Sequence, residues 1–388
     1  MIATSIATSQ VRPGIDVLRA EGFAPLRGRR IGLMTNPSAV DTRLNSTVDV
    51  LWRAREVTLV ALFGPEHGVT GTVADGEPVA SGIDARTGLP AHSLYGTTYR
   101  PTREMLEGVD VLVCDIQDIG ARFYTFLWTV SYILEAAGEY GVPVMILDRP
   151  NPIGGRAAGP LLMPEVASFV GRHPIPIRHG MTLGELALMF NALWNPFPAH
   201  MDVIQCEGWS RHMRWEDTGL PFVPPSPAMP HPVTAKHYPG ACLLEGTTLS
   251  EGRGTALPFE IVGAPYLDGP VLAERLNVQG WPGVRFRPHI FEPAASKYAG
   301  VTCHGVQAHI TDEDTYDPIL VWLGVISVIR AQYPAHFGWH PAHFDRLIGN
   351  RAVREAIDRG VAISELVASW APEIAAFQEQ RRPYLLYE

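Results

Sequence analysis

Four short apolar runs, each broken off by a polar or Gly/Pro-rich segment, constrain this chain most. They are Arg30–Thr35, Val57–Phe63, Val109–Ile116 and Val142–Leu147. Their length and near-continuous apolar character mark buried strands. Helix-like stretches separate them. Leu44–Arg53 has helical character, and a short acidic helix is expected around Pro101–Glu107. Phe123, Phe126, Leu127, Val130, Ile133, Leu134 and Ala137 recur at 3- and 4-residue spacing, which predicts a helix over 121–140. Thr182 and Glu185 have capping-box spacing before another apolar stripe, and Met201–Gln205 is the last strand candidate of this half. Continuous apolar strands alternating with helices predict an α/β fold, with a parallel sheet covered on both faces.

In such sheets ligands lie beyond the carboxyl ends of the strands. Four segments fall there: Thr35-Asn36-Pro37-Ser38, Gly64-Pro65-Glu66-His67-Gly68, Asp115–Asp118 and Asp148-Arg149-Pro150-Asn151-Pro152. Beyond them, residues 221–232 hold six prolines in twelve positions. Such a segment can be neither an interior helix nor a central strand. A domain boundary is therefore expected at its end, giving residues 1–232 and 233–388. The second part is expected to hold short strands at Val284–Phe291 and Cys303–Ile310, then helices over 317–333, 350–359 and 363–380. The first of these should begin with Asp317 as N-cap and Pro318 at the first helical position.

Composition excludes several classes. With 46% hydrophobic and 18% charged residues, the chain is not generally disordered. A net charge of −9 argues against non-specific nucleic-acid binding. The longest apolar run, Ile319–Ile329, is too short to cross a membrane. The first residues, MIATSIATSQVRPGIDVL, show neither a basic nor an apolar leader region, so a cytoplasmic chain is expected. Cys114, Cys206, Cys242 and Cys303 are far apart and form no zinc pattern. There is no GxGxxG, P-loop, HExxH or GxSxG motif, so neither cofactor nor metal is expected. No oligomeric state is read from the sequence.

Carboxylates at strand ends remain. Glu66, on a loop bounded by Gly64 and Gly68, suits a general acid that His67 orients; a solvated loop acid is the alternative. Glu245 and Glu251 flank a second Gly-rich segment, with Arg253 two residues beyond Glu251. Arg253 could grip a substrate carboxylate or form a surface salt bridge. Asp118 is expected to cap the 121–140 helix while Arg122 reaches the cleft. Asn36, Arg149 and Asn151 sit on the other strand-end loops, where they could bind hydroxyls or fix the loops. His179 could contact a ligand or be a structural histidine. Tyr95, Tyr124 and Trp128 could stack on sugar faces, whereas Phe123 and Phe126 read as core. Two carboxylates across a cleft suit glycoside hydrolysis, yet the same inventory suits a non-catalytic sugar binder.

The strings LFGPEHGVTG (62–71), VDVLVCDIQDIGARFYTF (109–126), ILDRPNPIGG (146–155), SFVGRHPIPIRHGMTLGELA (168–187), VPPSPAMP (223–230) and LLEGTTLSEGRGTALPFEIVGAP (243–265) resemble the NamZ-type exo-β-N-acetylmuramidases, glycoside hydrolase family 171. The resemblance runs in order along nearly the whole chain. It implies a Rossmann-like N-terminal domain without a nucleotide and a smaller α+β C-terminal domain, with the active site between them. The implied activity is release of N-acetylmuramic acid from the non-reducing end of peptidoglycan fragments. The partners are then peptidoglycan-derived saccharides, with no nucleic acid and no membrane. The GPEHG glutamate falls on Glu66 as leading catalytic residue, and SEGRGT brings Glu251 as the second carboxylate, with Glu245 its competitor. Arg253, Arg122 and Arg149 become candidates for the lactyl carboxylate; Tyr124, Asn151 and His179 become candidates for hydroxyl or acetamido contacts. Substrate-assisted hydrolysis stays open. Ala228 and Thr248 depart from the family pattern, which has asparagine at both. Many members are exported, so the missing leader points either to intracellular turnover or to a leader not included in this sequence.

Overall fold

The computed structural model describes residues 10–388. The opening nine residues, on which part of the leader expectation rests, lie outside them. The strands are β1 (Arg30–Thr35), β2 (Thr58–Gly64), β3 (Gly82–Ile83), β4 (Pro90–Ser93), β5 (Val111–Asp115), β6 (Val144–Leu147), β7 (Ala158–Leu161), β8 (Pro176–Arg178), β9 (Met201–Ile204), β10 (Ile261–Ala264), β11 (Val284–Phe291) and β12 (Cys303–Ile310). Seven form one sheet in the order β3-β4-β2-β1-β5-β6-β9. All its pairings are parallel except β3 with β4. Counted in chain order, the parallel strands run 3-2-1-4-5-6, which is the Rossmann order.

The inner strands β1, β2, β5 and β6 are largely apolar because helices cover both faces. On one side Ile31, Leu33, Val111 and Val113 pack against α1 (Gly14–Ala20) and α2 (Thr47–Arg53). On the other, Met34, Leu112 and Cys114 join α3 (Phe126–Tyr140) and α4 (Leu183–Leu193). That second cluster continues without a break into the C-terminal half, through Val306 and Trp322. There β10, β12 and β11 form an antiparallel sheet. Around it stand α5 (Pro232–Ala241), α6 (Gly269–Val278), α7 (Pro318–Gln332), α8 (Pro341–Ile348), α9 (Arg351–Asp358), α10 (Ile363–Ala368) and α11 (Ala371–Arg381). We propose to keep the domain division at Pro232, where α5 begins.

The local signals act as their chemistry requires. Thr182 and Glu185 close a reciprocal capping box, and Asp317 accepts hydrogen bonds from the Ile319 and Leu320 amides. Some expectations are corrected. The 121–140 helix starts only at Phe126, because the Arg122 amide donates to Ile177 O and the Tyr124 amide closes a separate turn on Ala121 O. Asp118 therefore caps no helix; it accepts from the Gly120 amide in a turn. The acidic helix near residue 104 is a single tight turn, and residues 363–380 divide into α10 and α11. Among the described residues no helix is long and apolar enough to cross a membrane. All four cysteines are free and buried.

Candidate active site

A cleft of about 880 Å³ opens beyond the carboxyl ends of β2 and β4, with segments of both halves in its walls. Glu66 enters it from the loop that follows β2. That loop turns tightly: a Cβ on Gly64 would sit 2.7 Å from the Val69 amide nitrogen. His67 takes a left-handed φ of 70°, unusual for a residue with a side chain. The His67 ring lies 2.8 Å from Val73 O through Nδ1 and 3.7 Å from Asp75 through Nε2. Glu66 Oε1 accepts the Gly76 amide at 3.0 Å, and Oε2 meets the Thr125 hydroxyl at 2.6 Å. The Gly76 amide can only donate, whereas a hydroxyl donates or accepts. The Thr125 contact therefore accommodates Glu66 both with and without its proton. Burial, then the Glu66 charge, pushes the Tyr95 phenol up.

The C-terminal half supplies the facing wall. Arg253 is ringed by three carboxylates. It donates to Glu245 at 2.9 Å, pairs with Asp75, and lies 3.8 Å from Glu251. Burial opposes ionisation of Glu245, but Arg253 and then His343 more than offset it and hold the carboxyl well below its usual range. Glu251 is buried and receives Lys297 Nζ at 3.0 Å; the same ammonium donates to Leu244 O and Leu249 O. Tyr124 lines the cleft beside Ser226, its phenol pushed up by burial. Strain concentrates in these walls. Of six described non-glycine residues with positive φ, His67, Phe259 and Ser296 line the cleft.

Seven of the sequence candidates thus meet here: Glu66, His67, Tyr95, Tyr124, Glu245, Glu251 and Arg253. The other seven do not. Trp128 offers no face to a sugar, because it is fully buried and stacks on Phe190. Arg122 does not reach the cleft. It is fully buried and donates to Pro160 O, Ile175 O and Leu347 O, and burial pulls it down to about 9. Arg149 is buried against Asp115, with hydrogen bonds of 2.5 and 3.0 Å. Asn36 tethers the proline-rich segment through Pro225 O, and Asn151 donates to Met181 O. Asp118 and His179 approach to 3.2 Å inside the core. Asn36 and the Arg149–Asp115 pair sit where β1 and β5 diverge, the usual ligand crevice of this topology. Side chains and the proline-rich segment occupy that crevice, leaving about 20 Å³ beside Gln117. Among the described residues no cluster of His, Cys, Asp or Glu has the makings of a metal site.

Family models for the N-terminal and C-terminal parts of exo-β-N-acetylmuramidase NamZ match residues 31–233 and 236–387. This chain belongs to the NamZ family. A relative within 47% identity over 380 residues is the peptidoglycan β-N-acetylmuramidase NamZ of Bacillus subtilis strain 168; the match covers 97% of this chain and 92% of that one. Two DUF1343 family proteins from Bacteroides fragilis share the fold. One has a TM-score of 0.90 at 38% identity, the other 0.79 at 32%, each covering 98% of this chain and 99% of its own.

The two positions expected to depart from the NamZ pattern fall differently. Ala228 lines the cleft. Thr248 instead binds the Gly338 amide at 2.9 Å. Sequence inspection missed Asp75, Thr125, Lys297 and His343 as cleft residues. Only Lys297 carried a signal, as one of two lysines in the chain.

Proposed function

We propose that this protein is an exo-acting glycosidase that releases N-acetylmuramic acid from the non-reducing end of peptidoglycan fragments. The observation that carries this reading is the end-to-end relationship to a β-N-acetylmuramidase, joined to a cleft in which Glu66 has only neutral hydrogen-bond partners. Glu66 protonates the leaving oxygen, and the Thr125 hydroxyl keeps a hydrogen bond to it before and after the transfer. Glu251, ion-paired with Lys297, is the second carboxylate and offsets positive charge developing at the anomeric carbon. Glu245 holds Arg253 in place, and Arg253 receives the lactyl carboxylate by exchanging Asp75 for the substrate. Tyr124 contributes a hydroxyl contact. Asn36, Asp118, Arg122, Arg149, Asn151 and His179 hold the frame.

The four buried free thiols suit a reducing compartment, which supports a cytoplasmic role in wall turnover. Cell fractionation checks this, and recovery outside the membrane overturns it.

The deciding assay uses a disaccharide with N-acetylmuramic acid at its non-reducing end. Release of that sugar by the wild type, and loss of at least ~10²-fold in rate in Glu66→Gln, supports the reading. Cleavage only of a terminal N-acetylglucosamine, or binding without cleavage, overturns it.

A further inference from the structure

A second cavity of about 500 Å³ lies at the other end of the sheet, beyond β6. The Pro-Ile-Gly-Gly-Arg loop at residues 152–156 lines it, and none of that loop lines the catalytic cleft. Basic side chains dominate its walls, and most have acidic partners. Arg156 pairs with Asp317 at 3.1 Å, and Arg211 pairs with Glu185. The acids on the far rim are engaged too: Asp314 by Arg214 at 2.8 Å and Glu313 by Lys236 at 2.6 Å.

Arg178 differs. Among the described residues it has no carboxylate partner, and its one side-chain hydrogen bond runs from Nη2 to Ile153 O at 2.6 Å. Its Nε is buried without a partner. Arg122 too has no acid among the described residues, but it is fully buried, directs its donors at three carbonyls and lines neither of the two large openings. Arg178 keeps its donors beside open space, and burial pulls it down to about 10. Behind it, Arg381 likewise has only carbonyl partners, at His179, Gly180 and Gly155. The loop is built to bring these cations together. A Cβ on Gly180 would come within 2.6 Å of Arg381 Nη1, and one on Gly155 within 2.9 Å of the Arg211 side chain.

We propose that this cavity binds a phosphorylated small molecule, with Arg178 holding the phosphoryl group and Arg156 turning to it from the rim. Two guanidiniums without carboxylates, Arg178 and Arg381, match the charge of a dianionic phosphomonoester better than that of a single carboxylate. The fork of Arg178 suits bidentate contact with two phosphoryl oxygens. The remaining volume accommodates a sugar-sized body.

Isothermal titration of the full chain tests this, with inorganic phosphate, glucose 6-phosphate, glucose and acetate as probes. Saturable binding of phosphate, tighter binding of glucose 6-phosphate and no binding of glucose are expected. Arg178→Gln should weaken phosphate binding at least ~10-fold and Arg156→Ala about 3-fold, as loss of charge-assisted hydrogen bonds requires. Arg156→Ala should leave glycoside hydrolysis unchanged. If Arg178→Gln fails to fold, wild-type crystals soaked in phosphate must show an anion within hydrogen-bond distance of Arg178. No saturable phosphate binding, acetate binding as tight as phosphate, an unchanged affinity in both variants, or an anion only elsewhere would overturn the proposal.

Discussion

The two openings along the carboxyl edge of the sheet are near opposites. In the cleft at β2, the cations are crowded by acids: Arg253 touches Asp75, Glu245 and Glu251, and Lys297 is paired with Glu251. Glu66 differs: among the described residues it is bonded to an amide and a hydroxyl rather than to a cation, and unlike Glu77 on the exposed rim it is drawn into the wall. In the cavity beyond β6 the acids are paired, and among the described residues the exceptions are two cations, Arg178 and Arg381, of which Arg178 keeps donors unengaged. Counting charges would call the first opening acidic and the second basic. The more instructive quantity is which charge lacks a counter-ion. That charge is free to meet a ligand, whereas a paired charge must first give up a partner. Arg122 sets the limit of the rule, because a buried cation with carbonyl partners and no adjoining space is structural.

The largest test of the contrast is Glu66→Gln. If the unpaired acid is the reacting group, rate falls at least ~10²-fold while the unfolding midpoint hardly moves. Near-normal turnover would break the comparison at its first term. Arg122→Met comes next and should do the reverse. It removes the guanidinium donor from Pro160 O and Leu347 O and leaves Ile175 O with the Leu162 amide, so stability should fall by about 2 kcal/mol in denaturant titration, with activity per folded molecule retained. Loss of turnover without loss of stability would return Arg122 to the cleft.

The elements legible in the sequence were those fixed by local chemistry. Runs such as Val109–Ile116 reveal strands because both faces of the sheet are covered. Asp317–Pro318 and Thr182–Glu185 announce helix starts because caps act within one turn. α5, α6 and α8 went unread; α5 has Pro239 inside it and α8 begins at Pro341. At the site, Glu66 was legible because Gly64 and Gly68 mark its turn. Arg122 and Arg149 were not, since their partners come from distant segments. Leu347 lies 225 residues from Arg122, and no spacing rule links them. Asp75 and Thr125 were invisible for the same reason: each matters only through a contact with a residue far along the chain.

Arg253→Gln tests a smaller effect. Arg253 is the cleft guanidinium proposed to exchange Asp75 for the lactyl carboxylate. Its loss should weaken N-acetylmuramic acid about tenfold, the size of one charge-assisted hydrogen bond, and leave N-acetylglucosamine unchanged. Competition by the two sugars in the hydrolysis assay measures the ratio. Equal weakening of both would mean that Arg253 organises the wall rather than reading the carboxylate.

The smallest effect is acid sensitivity, and its sign follows from Glu245. Burial works against its charge, but Arg253 and His343 hold its folded-state carboxyl below the unfolded value, down to about 2. The unfolded chain therefore takes up this proton first as pH falls. The stabilisation from this group is fully present above the ordinary carboxylate range and is lost as pH drops towards 2. The cavity beyond β6 has no such dependence through Arg178, which remains charged across the whole acid range. Between pH 5 and pH 3, amide exchange divided by the intrinsic rate at each pH should rise modestly in residues 242–255 and stay level in residues 152–156. A parallel rise in both segments would mean that acid acts on the shared core instead, and the cleft would have no acid-sensitive lock of its own.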